Sequence, residues 1–557
     1  MKNLKVYLLI LIFCLPFTVL SQQKTIKRVK LNNEIKLISP KLVVGIVVDQ
    51  MRWDFLFRYA NRYGNGGFKR LLRDGFSCDN TQINYIPTVT AAGHTSIYTG
   101  SVPALHGITG NEWTEQATGK IMYCTDDSTT KTVGSTSLAG QMSPRNLWAS
   151  TITDELKLAT NFKAKTIGIA LKDRGAILPV GHSANAAYWF DDLTGDWITS
   201  TYYMKQLPAW VSNFNQEKNA EKYIAKDWNT LYNIDTYTQS EPDNNIYEGL
   251  FMGEKLPIFP HQISKNTKGA GIIRNTPYGN SITFDFAKRT IAEEKLGANN
   301  TTDFLAISLS STDYIGHWYG PNSVEIEDTY LRLDKDISDF LIYLDTQLGK
   351  NNYTVFLTAD HGAAHNPNFL IDHKIPAGLF MGNAALKDLN AKLKIEFGVD
   401  KLILNLANYQ VNFNNAAISI SKINIAELKN YCINYLQNLE GVAFAVDMDN
   451  VSNATLPAKL KQKAINGYNH QRSGAIQIFL KPGYFSGYGI TGTTHGTWHP
   501  YDTHIPLVFM GWGIKHGNSN RQIAISDIAP TLAALLNIQE PNATIGEPIL
   551  EVLDDLK

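Results

Sequence analysis

The stretch Thr-Val-Thr-Ala-Ala-Gly-His-Thr-Ser-Ile-Tyr-Thr-Gly, residues 88 to 100, follows a turn-prone Ile-Pro and reads as the opening turns of a helix. A threonine at such a start has its hydroxyl beside unpaired backbone N–H groups and the positive end of the helix dipole. That is a ready anion site. The hydroxyl becomes a nucleophile only if a base or a metal takes its proton. Without one, Thr90 is a plain N-cap, the commoner use of Ser and Thr at this position.

Three runs elsewhere bear on that choice. Lys-Leu-Val-Val-Gly-Ile-Val-Val-Asp ends at Asp49, Asp-Phe-Leu-Ala-Ile-Ser-Leu-Ser-Ser-Thr-Asp at Asp313, and Tyr-Thr-Val-Phe-Leu-Thr-Ala-Asp-His-Gly carries Asp360 and His361. Continuous apolar runs rich in β-branched residues suit strands buried on both faces of a parallel sheet. Acids at the C-terminal ends of such strands stand where α/β folds bind ligands. Three carboxylates in one low-dielectric cleft repel one another, and a divalent metal relieves this most simply. Imidazoles supply further ligands. Asp313 and His317 are one helical turn apart, His361 adjoins Asp360, and His495 lies in a Gly/Thr-rich loop. Asp and His without Cys suit zinc with open positions, hence a catalytic rather than a structural site.

These motifs, in this order and spacing, resemble the alkaline phosphatase superfamily, and within it the exported bacterial alkaline phosphatases of the PafA type. The resemblance rests on Val-Val-Asp49-Gln-Met-Arg-Trp-Asp, Pro-Thr-Val-Thr90-Ala-Ala-Gly-His, His-Gly-Ile-Thr-Gly-Asn111-Glu-Trp and Leu-Lys172-Asp-Arg174-Gly-Ala. It continues through Ser-Thr-Asp313-Tyr-Ile-Gly-His317, Thr-Ala-Asp360-His361-Gly, Thr-His495-Gly and the closing Ser-Asp-Ile-Ala-Pro-Thr-Leu-Ala-Ala-Leu-Leu-Asn.

The resemblance implies two zinc ions. Asp313, His317 and His495 would hold one; Asp49, Asp360 and His361 would hold the other, which also binds the Thr90 oxygen. It implies a phospho-threonine intermediate, with Asn111, Lys172 and Arg174 on the non-bridging phosphoryl oxygens. Alternation along an extended segment would put Lys172 and Arg174 on one side; a solvated basic pair is the plainer reading. Two cations favour the nearly dianionic monoester over a diester. This separates the expected phosphomonoesterase from a nucleotide pyrophosphatase/phosphodiesterase of the same superfamily, which lacks the pair. A non-catalytic zinc-binding exported protein is the remote third reading. The Cys/Ser-x-Pro-x-Arg context of sulfatases is absent around Thr90.

The expected fold is a three-layer α/β/α sandwich with a mostly parallel central sheet over residues 41–557. Cap insertions are expected at about 180–300 and 375–490. The aromatics of the first, Trp189, Trp197, Trp210 and Trp228 among them, are read as core packing rather than stacking surfaces.

The 557 residues, 44% hydrophobic and 18% charged, suit a large globular core. Lys+Arg and Asp+Glu are equal at 51 each, so no basic field argues for nucleic acid as a partner. Lys2 and Lys5 precede an apolar run, Val6 to Leu20, with Val19 and Ser21 placed for cleavage. The run is about fifteen residues, short of the roughly twenty a spanning helix needs. Residues 1–21 therefore read as a secretory signal and 22–40 as a lead-in. The expected product is a periplasmic or secreted monomer acting on small phosphate monoesters, without membrane attachment after signal removal. Cleavage would leave Cys78, Cys124 and Cys432, an odd number that permits at most one disulfide, such as Cys78 with Cys124.

Overall fold

The computed structural model describes residues 39–554, apart from 252, 266–268 and 488. The signal and nearly all of the lead-in lie outside the described residues.

Eight strands of the main sheet precede residue 360: β1 (Leu42–Val48), β2 (Phe76–Cys78), β3 (Thr132–Val133), β4 (Thr166–Ala170), β5 (Ala186–Asp191), β6 (Asp196–Ser200), β7 (Asp303–Leu309) and β8 (Tyr353–Thr358). Four more, β9 (Ile403–Asn405), β10 (Gln410–Phe413), β11 (Val442–Asp447) and β12 (Ile476–Leu480), form a second sheet, and β13 (Leu507–Gly511) and β14 (Gly517–Ser519) return to the first. The main sheet has 10 strands in the order β14-β2-β13-β8-β1-β7-β4-β5-β6-β3. Its centre, β8-β1-β7-β4-β5, is parallel throughout; β13 pairs antiparallel with β8 and β2.

The central strands are buried along their whole length, as expected when helices cover both faces. Helices α1 (Thr90–Thr99) and α2 (Asp173–Val180) pack on each other, and α2 also packs on β4, β5 and β7. Helices α3 (Tyr278–Glu294), α4 (Ser311–Tyr319) and α5 (Val324–Leu348) pack together, with α3 against β4 and β7. The fold is the mostly parallel α/β sandwich read from the sequence.

The register explains the shared edge. Val48 pairs with Leu309, and Val47 with Thr358, so β1, β7 and β8 end side by side. Asp49 follows β1 directly. Asp360 and His361 stand just past β8. Asp313 departs from the expectation of a strand end: β7 stops at Leu309, and Asp313 occupies the first turn of α4, where an acid suits the helix dipole.

The stretch 180–300 divides between layers. It adds β5 and β6 to the main sheet and α3 to its face, and Trp189, Trp197 and Trp228 are buried in the core with Trp210 packed against it. The stretch 375–490 carries the second sheet, β9-β10-β12-β11, with α6 (Gly382–Phe397) and α7 (Ile425–Gln437). It has its own core, including Leu389, Leu393, Val411, Leu428 and Ile476. Cys78, Cys124 and Cys432 are buried and free, so Cys78 and Cys124 are not paired.

Helix α1 is buried at all ten positions and ends at Gly100, whose φ of 64° suits a C-cap glycine. It can lie against the end of β8 because residue 93 is glycine. A Cβ there would stand 2.6 Å from the Cβ of Asp360 and 2.8 Å from its Cα. Gly93→Ala should therefore lower the unfolding free energy by about 1–3 kcal/mol, as overfilling a packed interior does. Urea unfolding should show a lower midpoint at unchanged slope; an unmoved midpoint would mean that the helix has room to shift.

Candidate active site

Six ligand-type residues form two groups at this edge. In one, potential ligand atoms of Asp49, Asp360 and His361 lie within 4.8 Å of one another; in the other, those of Asp313, His317 and His495 do. His361 Nε2 is 3.5 Å from Asp49 Oδ1 and 3.6 Å from Asp360 Oδ2. These three atoms are buried and have no hydrogen-bond partner. Unpaired buried polar atoms are rare and costly, and here they face one point. In the second group, His317 Nε2 and His495 Nε2 approach Asp313 Oδ1 at 3.2 and 3.8 Å. The two groups adjoin, since the His361 and His495 rings stack with centroids 3.5 Å apart.

Each imidazole is turned by the backbone. His361 Nδ1 bonds Gly362 O at 3.0 Å, His317 Nδ1 bonds Thr493 O at 2.9 Å, and His495 Nδ1 bonds Thr88 O at 2.6 Å. A carbonyl only accepts, so Nδ1 donates and Nε2 is left to face the carboxylates. This is how proteins orient metal-binding histidines. Burial lowers the pKa of His361. It lowers that of His495 further, with the neighbouring imidazoles adding to the effect. His317 moves up because Asp313 outweighs burial.

The carboxylates differ. Burial, with Asp360 beside it, pushes Asp49 well above the usual carboxylate range. Burial also opposes ionisation of Asp313 and Asp360. However, His317 and Lys172 hold the first well below that range, and His361 and His94 hold the second below it. The donor set is nitrogen and oxygen without thiolate, open to substrate at the more exposed His317. It suits zinc or another divalent ion in a catalytic site.

Thr90 is the first residue of α1 and is buried. The N-cap is Val89, so Thr90 is not the cap that the plainer reading made it. Asn111 accepts a 2.9 Å bond from the Ala91 N–H, beside the threonine. Lys172 Nζ donates to Asp49 Oδ2 at 2.7 Å and Asp313 Oδ2 at 2.6 Å, so one ammonium links the two groups. Burial opposes its charge, but these carboxylates raise its pKa. The segment carrying Lys172 and Arg174 is not extended as expected. Lys172 caps α2, whose first turn holds Asp173, an acid favoured at a helix N-terminus. Arg174 Nη1 donates to the Tyr123 hydroxyl at 3.0 Å, and that hydroxyl donates to Asp173 at 2.9 Å.

Several contributors were not singled out from the sequence. Gln50, at φ 64°, donates its N–H to Asp360 Oδ1 at 3.1 Å and its Nε2–H to Asp313 Oδ1 at 2.7 Å. One residue thus fixes a carboxylate of each group. His94 Nδ1 bonds Thr90 O at 2.9 Å and lies 3.3 Å from Asp360 Oδ2, while its Nε2 meets Ser308 Oγ at 2.8 Å. The spacing of His94 from Thr90, one helical turn, was the available sign. Gln50 left none, because its part depends on backbone conformation. Two roomier clefts, of about 730 and 750 Å³, contain none of these residues.

This arrangement is that of a phosphoryl-transfer hydrolase on an α/β sandwich. The sequence model of the type I phosphodiesterase / nucleotide pyrophosphatase family matches residues 43–502. Alkaline phosphatase PafA of Elizabethkingia meningoseptica is 51% identical over 517 residues, 92% of this chain and 94% of its own. A Myroides odoratus protein named "Calcium-transporting ATPase" is 57% identical over 524 residues, 93% of this chain and 96% of its own. The crystal structure of wild-type PafA superposes with a TM-score of 0.91 at 51% identity, covering 93% of this chain and 99% of that one. The chain belongs to the type I phosphodiesterase / nucleotide pyrophosphatase family of the alkaline phosphatase superfamily. Within that family it is an enzyme of the PafA alkaline phosphatase type.

Two substitutions test the metal groups. His361→Ala and His495→Ala should each bind less zinc per chain than the parent, by elemental analysis after dialysis against zinc. Gln50→Met keeps the shape but removes the amide, and should weaken metal affinity about 10–100-fold, as loss of a supporting hydrogen bond does. Parental metal content in both histidine variants would exclude these groups as the metal centre.

Proposed function

We propose that this enzyme hydrolyses phosphate monoesters outside the cytoplasm through a phospho-threonine intermediate on Thr90, with two zinc ions as cofactors. The observation that carries this reading is the packing of the α1 N-terminus against two convergent carboxylate–imidazole groups. Asp49, Asp360 and His361, with Thr90, would hold one zinc, and Asp313, His317 and His495 the other. Bound there, zinc would supply positive charge that lowers the pKa of the threonine hydroxyl and screens charge on the leaving oxygen. Export rests on the leader-like first 21 residues.

The protein's own groups define the steps. Thr90 Oγ attacks phosphorus and the bond to the leaving oxygen breaks; the alcohol departs with a proton. Water then attacks phosphorus from the side opposite Thr90 Oγ, that bond breaks, and inorganic phosphate leaves. The net reaction consumes one monoester and one water. Asn111 keeps its side-chain NH2 for a phosphoryl oxygen while its Oδ1 holds the Ala91 N–H. Lys172 and Arg174 oppose the remaining negative charge. The N–H groups at the start of α1 add to the anion site.

The family description names diesterases, so the diester reading is retained as the alternative. Charge separates the two. A monoester brings nearly two negative charges to the non-bridging oxygens and a diester brings one, so cationic Lys172 and Arg174 favour the former. The terminal phosphoryl of ATP presents the same dianionic group. ATP hydrolysis, the activity in the name of the Myroides relative, therefore falls within this reading. Among the described residues no helix is long and apolar enough to cross a membrane.

Thr90→Ala should nearly abolish turnover while retaining zinc; a fast Thr90→Ala enzyme would exclude the covalent route. Lys172→Ala should lower kcat/KM for a monoester by about 10²–10³, the usual effect of removing a transition-state donor. A matched diester should lose far less, and equal losses would favour the diesterase.

A further inference from the structure

A pocket of about 440 Å³ opens beside the second metal group, walled on one side by Val89, Glu112 and His495 and on the other by Phe380, Asn408 and Tyr409 of the 375–490 lobe. Its size is that of small-molecule sites. Val89 precedes Thr90, Glu112 follows Asn111, and His495 belongs to the second metal group, so the pocket adjoins the proposed phosphoryl site on the side of that group.

Three features define its chemistry. Asn408 and Tyr409 are consecutive non-glycine residues with φ of 56° and 57°. Such backbone is unfavourable for a residue with a side chain and persists where surrounding contacts impose it. Here Asn408 Nδ2 donates to Glu112 O at 2.9 Å, and the Tyr409 hydroxyl accepts from the Ser486 N–H at 3.0 Å. The Tyr409 ring is thereby held against the His495 loop, its Cε2 lying 3.4 Å from where a Cβ on Gly496 would stand. The Phe380 ring lies behind it, with centroids 6.4 Å apart. Lastly, among the described residues no lysine or arginine lines the pocket, and Glu112 is the one carboxylate there.

We infer that this pocket is a leaving-group subsite for an uncharged leaving group with a planar face, a nucleoside being the biological class, with Tyr409 as its stacking wall. The inference rests on the monoesterase reading above. A leaving group that carries further phosphates would meet a carboxylate and no cation, so nucleoside triphosphates should be poorer substrates than monophosphates.

The test compares a nucleoside 5′-monophosphate, glycerol phosphate and inorganic phosphate as inhibitor, using zinc-loaded enzyme. Tyr409→Ala should raise KM for the nucleotide about tenfold, as loss of a base-stacking ring does. The change for glycerol phosphate should stay within about twofold, as should the inhibition constant of phosphate, which has no leaving group. Tyr409→Phe, which keeps the ring, should restore the nucleotide KM. At low ionic strength Glu112→Gln should narrow the gap in kcat/KM between mono- and triphosphate severalfold, and salt should erase that gain because the carboxylate is exposed. Equal losses on nucleotide and glycerol phosphate, or no loss on either, would overturn the subsite. No turnover of any monoester by the parent would instead overturn the underlying reading.

Discussion

The structure is arranged around a single electrostatic difficulty, the gathering of Asp49, Asp313 and Asp360 at one dry edge. All three are buried, and they share one cleft. Carboxylates so placed cannot all ionise without compensation. The protein supplies part of it. Lys172 reaches two of the three, His317 steadies Asp313, and the Gln50 backbone and side chain donate to Asp360 and Asp313. Yet Asp49 Oδ1, Asp360 Oδ2 and His361 Nε2 make no hydrogen bond, the His94 ring standing 3.3 Å from Asp360 Oδ2. Adding the missing contact as protein would need only a serine or an amide. What these residues offer is a concave set of lone pairs, which suits a cation and little else.

Such convergence demands stiffness, because repelling groups escape along any soft coordinate. The parallel centre of the sheet provides it. β1, β7 and β8 are fully buried and in register, so their ends cannot slide apart without breaking many hydrogen bonds. Helix α1 adds a lateral wall, and its close approach at Gly93 ties the nucleophile candidate to Asp360. The imidazoles are locked separately, by carbonyls of Gly362, Thr493 and Thr88. Through the last of these, the His495 loop and the threonine segment fix each other.

These devices differ in how far they can be read from a sequence. Strand-end acids are legible because burial on both faces leaves long apolar runs that stop at a carboxylate, as at Asp49 and Asp360. Asp313 with His317 is legible by helical spacing, even though the strand there ends sooner than the apolar pattern suggests. His495 has no local signal; it lies in a Gly/Thr loop that only the folded chain brings to the edge. Gln50 acts through a left-handed backbone and leaves no periodic trace, and His94 leaves only its one-turn spacing from Thr90. The extended reading of Lys172 and Arg174 failed because Asp173 starts a helix between them. Charge spacing alone does not reveal such a start. The parts assigned to Asn111, Lys172 and Arg174 came from resemblance, since an isolated Lys-x-Arg says nothing about phosphate.

The separation of the main core from the interior of the 375–490 stretch has a consequence for specificity. The metal groups stand on the large core, whereas the outer wall of the adjoining pocket belongs to the 375–490 lobe, which packs its own hydrophobic interior. A change at Phe380 falls within that lobe's interior, whereas Asn408 and Tyr409 also touch Glu112 and the His495 loop. A change at the strand ends disturbs every ligand at once, because one residue such as Gln50 or Lys172 touches both groups. The hydrogen bond from Asn408 to Glu112 O is one of the contacts through which the two parts meet. It fixes the wall relative to Asn111, the residue next in chain to Glu112, so on the proposed reading the leaving group and the phosphoryl oxygens would be positioned from one short segment.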